Sequence, residues 1–341
     1  SPLSFNFKNL EDISYMFANT YIKNISFNNF NTSKVKNMSN LFSNCLLLSS
    51  IDLSKLDTSE VKDMSYMFKS FNSCSLDLSN FKTNKVTNMS HMFEGSKLTS
   101  LDLKNFNTNS LLDMKYMFSN CPELTSIDLS NFNTKNVLDM SFMFYNCNYM
   151  NNLDINNFRT SNVYNMSSMF DSCFALGNLD LSNFETGKVK DMKKMFYQMK
   201  NLKQIDISNF NTKNVEDMRF MFSFCGSLSS LNVTHFNVEN VKYMDGMFSG
   251  LKLRYLDLSS FNTKKVESMS SMFSSCNKLQ FLNLNSFDTS LVTDMSRMFN
   301  WCQSLTSLEI SKLNTSKVES MYSIFANCHS LTYLDISNFD T

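Results

Sequence analysis

The sequence predicts an α/β solenoid made of tandem strand, turn and short-helix repeats. A Phe preceded by Met, Leu or Ile recurs thirteen times in 341 residues, always at an interval of 25 or 26. Apolar spacing changes from period two to a helix-like period within each interval, and only 6 Gly and 2 Pro occur in the whole chain. Self-similarity at a fixed period is the signature of a repeat architecture. We therefore expect thirteen repeats in one body spanning residues 1–341, with a parallel β-sheet on its concave face.

These recurring phenylalanines, the marker Phe residues, define the repeat. They are Phe17, Phe42, Phe68, Phe93, Phe118, Phe144, Phe170, Phe196, Phe222, Phe248, Phe273, Phe299 and Phe325.

The first element of each repeat is a short strand. In the repeat that begins at Leu124, Ile127 and Leu129 flank Asp128 in an in, out, in alternation. That alternation is typical of a half-buried β-strand. A parallel sheet follows, because equivalent strands recur once per repeat.

The second element is predicted to be a helix of about two turns. Val137, Met140, Met143 and Phe144 are spaced i, i+3, i+6 and i+7, which places them on one helix face. Thr134 precedes this segment and is a predicted N-cap. A single repeat has too little apolar surface to fold alone, so the repeats must stack and share one core.

Charge and hydropathy exclude several classes of function. The 31 Lys and Arg balance the 31 Asp and Glu, so bulk charge does not favour nucleic acid as a partner. No apolar stretch of about 18 residues is present, which predicts no membrane-spanning segment in this chain.

The repeat motif resembles a known family. Leu-x-x-Leu-x-Leu-x-x-Phe, seen at Leu98 to Phe106 and Leu176 to Phe184, matches the strand half of leucine-rich repeats. The following Asn-Thr-x-x-Val-x-x-Met-x-x-Met-Phe-x-x-Cys-x-x-Leu resembles BspA-like leucine-rich repeats, in particular the Asn-Phe-Asn/Asp-Thr subgroup of mycoplasmas, lactobacilli and related bacteria. The resemblance implies a secreted or lipid-anchored bacterial surface protein associated with adhesion to host components. We expect the chain, which shows neither a signal peptide nor a polar capping repeat at Ser1 or Thr341, to be a fragment of a longer surface protein.

The cysteines are interpreted as core residues. Eight of the nine stand three residues after a marker Phe, in a slot that other repeats fill with Thr20, Phe71, Ser96, Met199 or Leu251. Cys74 falls where other repeats have a core Leu. Buried thiols are favoured over disulfides, and three scattered His residues argue against a zinc site. We expect no metal and no cofactor.

The outward position of each predicted strand carries an acidic ladder. Its members that we propose as binding residues are Asp128, Asp154, Asp180, Asp206 and Asp257. Hydrated, screened carboxylates are the plain alternative, and a row of weak Ca²⁺ sites is another. A hydrolase is disfavoured, because catalysis needs two carboxyls with different environments and a uniform ladder repeats one environment.

Three aromatic residues break the uniformity of this face. Tyr255, Phe281 and Tyr333 replace the small residue that precedes the strand Leu. Exposed aromatics are effective anchors for a protein or glycan partner. The alternative is that each ring folds over its own repeat.

The sequence thus predicts a non-enzymatic surface protein that binds host or neighbouring-cell proteins or glycans through many repeated contacts. The alternative is a structural module that self-associates into a surface layer or appendage.

Overall fold

A computed structural model describes residues 9–340 and divides the chain into two compact units, Ser1–Arg159 and Thr160–Thr341. Both units are solenoids built from rungs, each rung being one turn of chain with one marker Phe. Ser1 and Thr341, which entered the expectation of a longer chain, lie outside the described residues. The single body over residues 1–341 stays a prediction.

A spine of marker Phe rings runs through the core of each unit. In unit 1, rings of successive rungs stack with centroids 5.6 to 5.9 Å apart. In unit 2 the corresponding separations are 5.5 to 6.3 Å. Paired methionines such as Met140 and Met143 are completely buried beside the rings. The shared core is therefore made by stacking, as a repeat too small to fold alone requires.

Regular strands are few and short among the described residues. In unit 1, β1 (Ser126–Asp128) pairs with β2 (Asn152–Asp154), and in unit 2, β3 (Phe281–Asn283) pairs with β4 (Ser307–Glu309). Both pairs are parallel, with Ile127 opposite Leu153 and Leu282 opposite Leu308. The parallel direction agrees with the prediction, and within residues 9–340 the regular strands of the predicted sheet are limited to these two pairs.

The outward acid itself ends the strand. Oδ1 of Asp128 accepts a hydrogen bond of 3.0 Å from the N–H of Ser130. The N–H of Phe132 then bonds the carbonyl of Leu129 at 2.9 Å, which closes a turn. An Asp side chain that bonds its own backbone two residues on is a turn-forming device. Each rung therefore leaves the strand direction at its Asp.

The prediction of a short helix in each repeat is wrong for the described residues, where this segment forms a ribbon of turns. The N–H groups of Met38, Asn40 and Phe42 do not bond within a helix but donate to the carbonyls one rung on, at 2.9, 2.8 and 3.0 Å. Asn40 adopts a φ of 58°. Left-handed residues at this point of each rung are incompatible with a right-handed helix. Parallel stacking supplies the hydrogen bonds that a helix would otherwise make internally.

A buried threonine ladder connects the rungs and replaces the predicted N-caps. Thr134 Oγ1 accepts the N–H of Arg159 at 2.7 Å and donates to the Arg159 carbonyl at 3.0 Å. Because no helix begins there, the N-cap role assigned to Thr134 is corrected to one of joining two rungs. Nearly every rung repeats the bond to the carbonyl, and the donating hydroxyls belong to Thr32, Thr58, Thr83, Thr108, Thr134, Thr160, Thr186, Thr212, Thr263, Thr289 and Thr315. All of these except Thr263 also accept the N–H of the same residue.

The Asn of the Asn-Phe-Asn-Thr motif makes a second connection. Asn131 Nδ2 donates to the carbonyls of Leu103 and Phe106 on the preceding rung, at 3.0 and 2.8 Å. Asn209 does the same to Leu181 and Phe184. The motif is thus a set of inter-rung hydrogen bonds around one buried Phe.

The cysteine slot is also a connection between rungs. Cys121 Sγ and Cys225 Sγ donate to the carbonyls of Phe93 and Phe196, at 3.1 and 2.9 Å. Both thiols are buried and outside any disulfide. Cys74, in contrast, is exposed, so its predicted place in the core is wrong. Its rung is one residue shorter before Asp77, which puts Ser73 in the buried position and turns Cys74 outward.

Candidate binding face

The strand face is the surface formed by the outward residues at and around each strand Asp. In unit 1 it carries Asp128 and Asp154, which lie opposite each other on β1 and β2. Both are exposed. Their Oδ1 atoms accept the N–H groups of Ser130 and Asn156 at 3.0 and 3.1 Å.

In unit 2 the same face carries Asp180, Asp206 and Asp257. Their Oδ1 atoms accept the N–H groups two residues on, at 2.9, 3.0 and 3.0 Å. One carboxylate oxygen of each of these predicted binding residues therefore accepts a hydrogen bond within its own turn. The second oxygen, Oδ2, is the one that could contact a ligand.

Serine hydrogen bonds also fix the charge of the acidic ladder. Bonds from the side chain and backbone of Ser130 lower the pKa of Asp128 below its usual range. Bonds from the backbone and side chain of Ser259 lower the pKa of Asp257 in the same way. Hydrogen bonding to the charged form favours ionisation. Asp128 and Asp257 are therefore held in the charged form, and the same hydrogen bonds fix their side chains in place.

The three predicted aromatic residues project from the strand face of unit 2. Tyr255, Phe281 and Tyr333 are 60, 38 and 78% exposed. Elsewhere in this unit the equivalent outward positions hold small or polar residues such as Gln204, Ser230 and Ser307. The rings thus stand above a surface of shorter side chains.

Two depressions flank Tyr255. The larger, of about 610 Å³, is lined by Lys252, Arg254 and Lys278 together with serine and threonine hydroxyls. The smaller, of about 390 Å³, lies against Phe281 and is also lined by Asn283 and Asn285. Tyr255 and Asp257 line both. The structure therefore brings Tyr255, Phe281 and Asp257 together, and Tyr333, Asp180 and Asp206 line neither depression.

Asn285, which lines the smaller depression, holds an unsatisfied hydrogen-bond acceptor. Its Oδ1 is buried and has no hydrogen-bond partner in the part of the chain that the structure describes. Most buried polar atoms are paired. Because this oxygen has no accessible surface, a ligand in the depression does not reach it.

Sequence reasoning missed an aromatic stack in unit 1. The rings of Tyr66, His91, Tyr116 and Phe142 lie one above the next, with centroids 4.1, 4.4 and 4.3 Å apart. All four residues stand two positions before a marker Phe, and this spacing in the sequence could have revealed the stack. Because the faces of neighbouring rings cover each other, this stack offers mainly ring edges to a ligand.

Residues 9–340 hold no group of three or more His, Cys, Asp or Glu side chains that could bind a metal ion. Nor does any helix long and apolar enough to cross a bilayer occur in that described range.

The stacked, hydrogen-bonded rungs define a solenoid repeat protein. The family model described as "Mycoplasma protein of unknown function, DUF285" matches residues 3–100, 68–179, 96–205, 174–283 and 272–341, and the chain belongs to this family. This confirms the resemblance to mycoplasma repeat proteins given by the motif. A search of curated proteins found no match.

Solved structures that resemble the chain come from several bacteria. A leucine-rich repeat protein from Bacteroides ovatus is 18% identical, with 91% of this chain and 83% of that chain covered and a TM-score of 0.44. One from Eubacterium ventriosum is 16% identical, with 92% and 76% covered and a TM-score of 0.40. The functional domain of InlJ from Listeria monocytogenes, whose description mentions a cysteine ladder, is 14% identical, with 93% and 66% covered and a TM-score of 0.33.

Proposed function

We propose that this chain is a non-enzymatic binding protein of a bacterial cell surface, which uses its strand face to hold proteins or glycans of a host or neighbouring cell. One observation carries the proposal: three exposed aromatic rings and two adjoining depressions interrupt an otherwise small and polar face. Convergent aromatic and polar groups around a concavity are typical of binding sites.

The scaffold suits this role because its backbone is fixed on both sides of the site. The N–H of Gln280 donates to the carbonyl of Arg254 at 3.1 Å, directly beside Tyr255 and Phe281. Below the face, Leu256 and Leu282 are buried. A preorganised surface loses little conformational entropy on binding, which favours affinity.

The test is adhesion of the purified chain to host cells or to extracellular-matrix proteins immobilised on a surface. A variant with Tyr255→Ala, Phe281→Ala and Tyr333→Ala should bind at least about ten times more weakly, as expected when central aromatic anchors are truncated. Tyr322→Ala is the matched control, because Tyr322 is 65% exposed but lies in the turn ribbon. Equal binding by the triple variant and the control would contradict the proposal.

Light scattering of the same samples separates binding from self-assembly. We expect a constant molecular mass with rising protein concentration. A mass that grows steadily, with no binding to cells or matrix, would favour a self-associating surface module instead.

A further inference from the structure

We infer that the two depressions around Tyr255 form one site for an acidic oligosaccharide. A sugar ring lies between Tyr255 and Phe281, and the neighbouring sugar places its carboxylate beside Arg254, Lys252 and Lys278. This inference rests on the proposed function, since it assigns a ligand class to the strand face.

The larger depression selects for negative charge. Three cationic side chains line it and Asp257 is the one carboxylate in the lining, which leaves a net charge of +2 (3 − 1). None of the three cations forms an ion pair with any residue that the structure describes. The planar guanidinium of Arg254 can hold a carboxylate through two parallel hydrogen bonds.

The smaller depression selects for a ring that carries hydroxyl groups. The exposed faces of Tyr255 and Phe281 offer an apolar surface to the C–H face of a pyranose. Asn283 and Ser286 stand around them as polar partners. At about 390 Å³, the space lies within the size range of small-molecule sites.

The two aromatic rings favour a glycan over an acidic peptide. Asp and Glu side chains can supply the carboxylate, but they have no flat ring to cover Tyr255 and Phe281. A pyranose presents such a C–H face, and its hydroxyls can both donate to and accept from Asn283 and Ser286. An acidic sugar chain thus meets the charge and the ring surface with one ligand class.

The test uses the full chain and isothermal titration with four probes. A sialylated trisaccharide is compared with lactose, its neutral part, and a hyaluronan tetrasaccharide with its neutral counterpart, an N-acetylglucosamine oligomer. We expect at least one acidic probe to bind about ten times more tightly than its neutral partner, as for a charged contact worth one order of magnitude. The acidic probe with the higher affinity identifies either a sialic acid or a hexuronic acid as the source of the carboxylate.

Two variants and one control assign the contacts. Arg254→Gln should remove the preference for the acidic probe, whereas the control Lys203→Gln should not, because Lys203 is an exposed cation of the same face that lines neither depression. Phe281→Ala should weaken the acidic and the neutral probe together, by about five- to tenfold. Unchanged melting temperatures verify that the variants fold.

Two results would overturn the inference. One is equal affinity for acidic and neutral probes. The other is tighter binding of a poly-glutamate peptide that depends on Arg254 and is unaffected by Phe281→Ala. If the probes fail while adhesion still depends on the aromatic residues, this inference is wrong and the proposed function stands. If an acidic probe binds but adhesion is absent, the proposed function is wrong and the site remains.

Discussion

The buried threonine of each rung satisfies two backbone groups at once, and its loss should be costly. In unit 2, Thr186 is 1% exposed, accepts the N–H of Asn211 at 2.7 Å and donates to its carbonyl at 3.0 Å. Thr186→Val keeps the shape and removes both bonds. The free energy of unfolding should fall by about 1–3 kcal/mol, measured by urea denaturation, because buried polar groups lose their partners.

The chain offers two controls for this prediction. Thr186→Ser keeps the hydroxyl and should cost clearly less than Thr186→Val. At the equivalent position two rungs on, Val238 is buried without a hydroxyl, so Val238→Thr should raise stability by about 0.5–1.5 kcal/mol. Equal stabilities of the Val and Ser variants at position 186 would show that the hydroxyl contributes nothing.

Buried thiols predict a loss of stability at alkaline pH. Burial raises the pKa of Cys225 and of Cys276 to about 12, from an ordinary 9.0. Above pH 9 the unfolded thiol loses its proton while the folded one keeps it, so the unfolded state is favoured. Stability is thus fully present below pH 9 and falls between pH 9 and 12, by about 1.4 kcal/mol per pH unit for each thiol.

Cys225→Ser isolates this effect from the other groups that titrate in that range. The serine hydroxyl can still donate to the Phe196 carbonyl but does not ionise. Between pH 8 and 10.5, urea denaturation should show the wild type losing about 2 kcal/mol more than the variant. Parallel pH profiles for the two proteins would contradict a raised thiol pKa.

At the scale of the element, the turn ribbon replaces a helix and should be visible by spectroscopy. Residues 9–340 contain no α-helix, and the Met-x-x-Met-Phe segments are held by backbone hydrogen bonds between rungs. Far-UV circular dichroism should therefore lack the paired helical minima at about 208 and 222 nm, which arise from the regular i to i−4 geometry. Strong minima at both wavelengths would instead support the helices expected from the sequence.

Sequence patterns predicted burial well and backbone geometry less well. Val137, Met140, Met143 and Phe144 are all buried as expected, since a spacing of three or four residues places them inward in either structure. Turns that repeat every few residues bury the same positions as a helix does. The left-handed φ of 56° at Phe142 distinguishes the turns from a helix, and the sequence does not indicate it because Phe seldom adopts a positive φ.

The candidate site was predictable to a similar degree. Tyr255 and Phe281 were found because they depart from the repeat pattern, and the structure places them on either side of one depression. The structural role of Asp257 as a turn acceptor and the unpaired oxygen of Asn285 depend on the local path of the chain. Periodicity carries no information about either.

For the molecule as a whole, the repeat separates stability from recognition. Asn, Phe and Thr of the motif face neighbouring rungs, so the residues that hold a unit together recur with little change. The side chain before the strand Leu points outward and makes no such connection, and it varies from Ser307 to Tyr333. A binding site can therefore be altered one rung at a time without disturbing the scaffold.

The same organisation predicts that a defect stays local within a unit. Each rung bonds only to the rungs on either side, and stability in such arrays is a sum of neighbour terms. In Thr186→Val, hydrogen–deuterium exchange followed by mass spectrometry should be faster by about ten- to a hundredfold in peptides around Val189 and Val215. Peptides around Phe299, four rungs away, should exchange at the wild-type rate. Uniform acceleration across residues 160–340 would mean that unit 2 opens as a single cooperative body, with its rungs coupled well beyond their nearest neighbours.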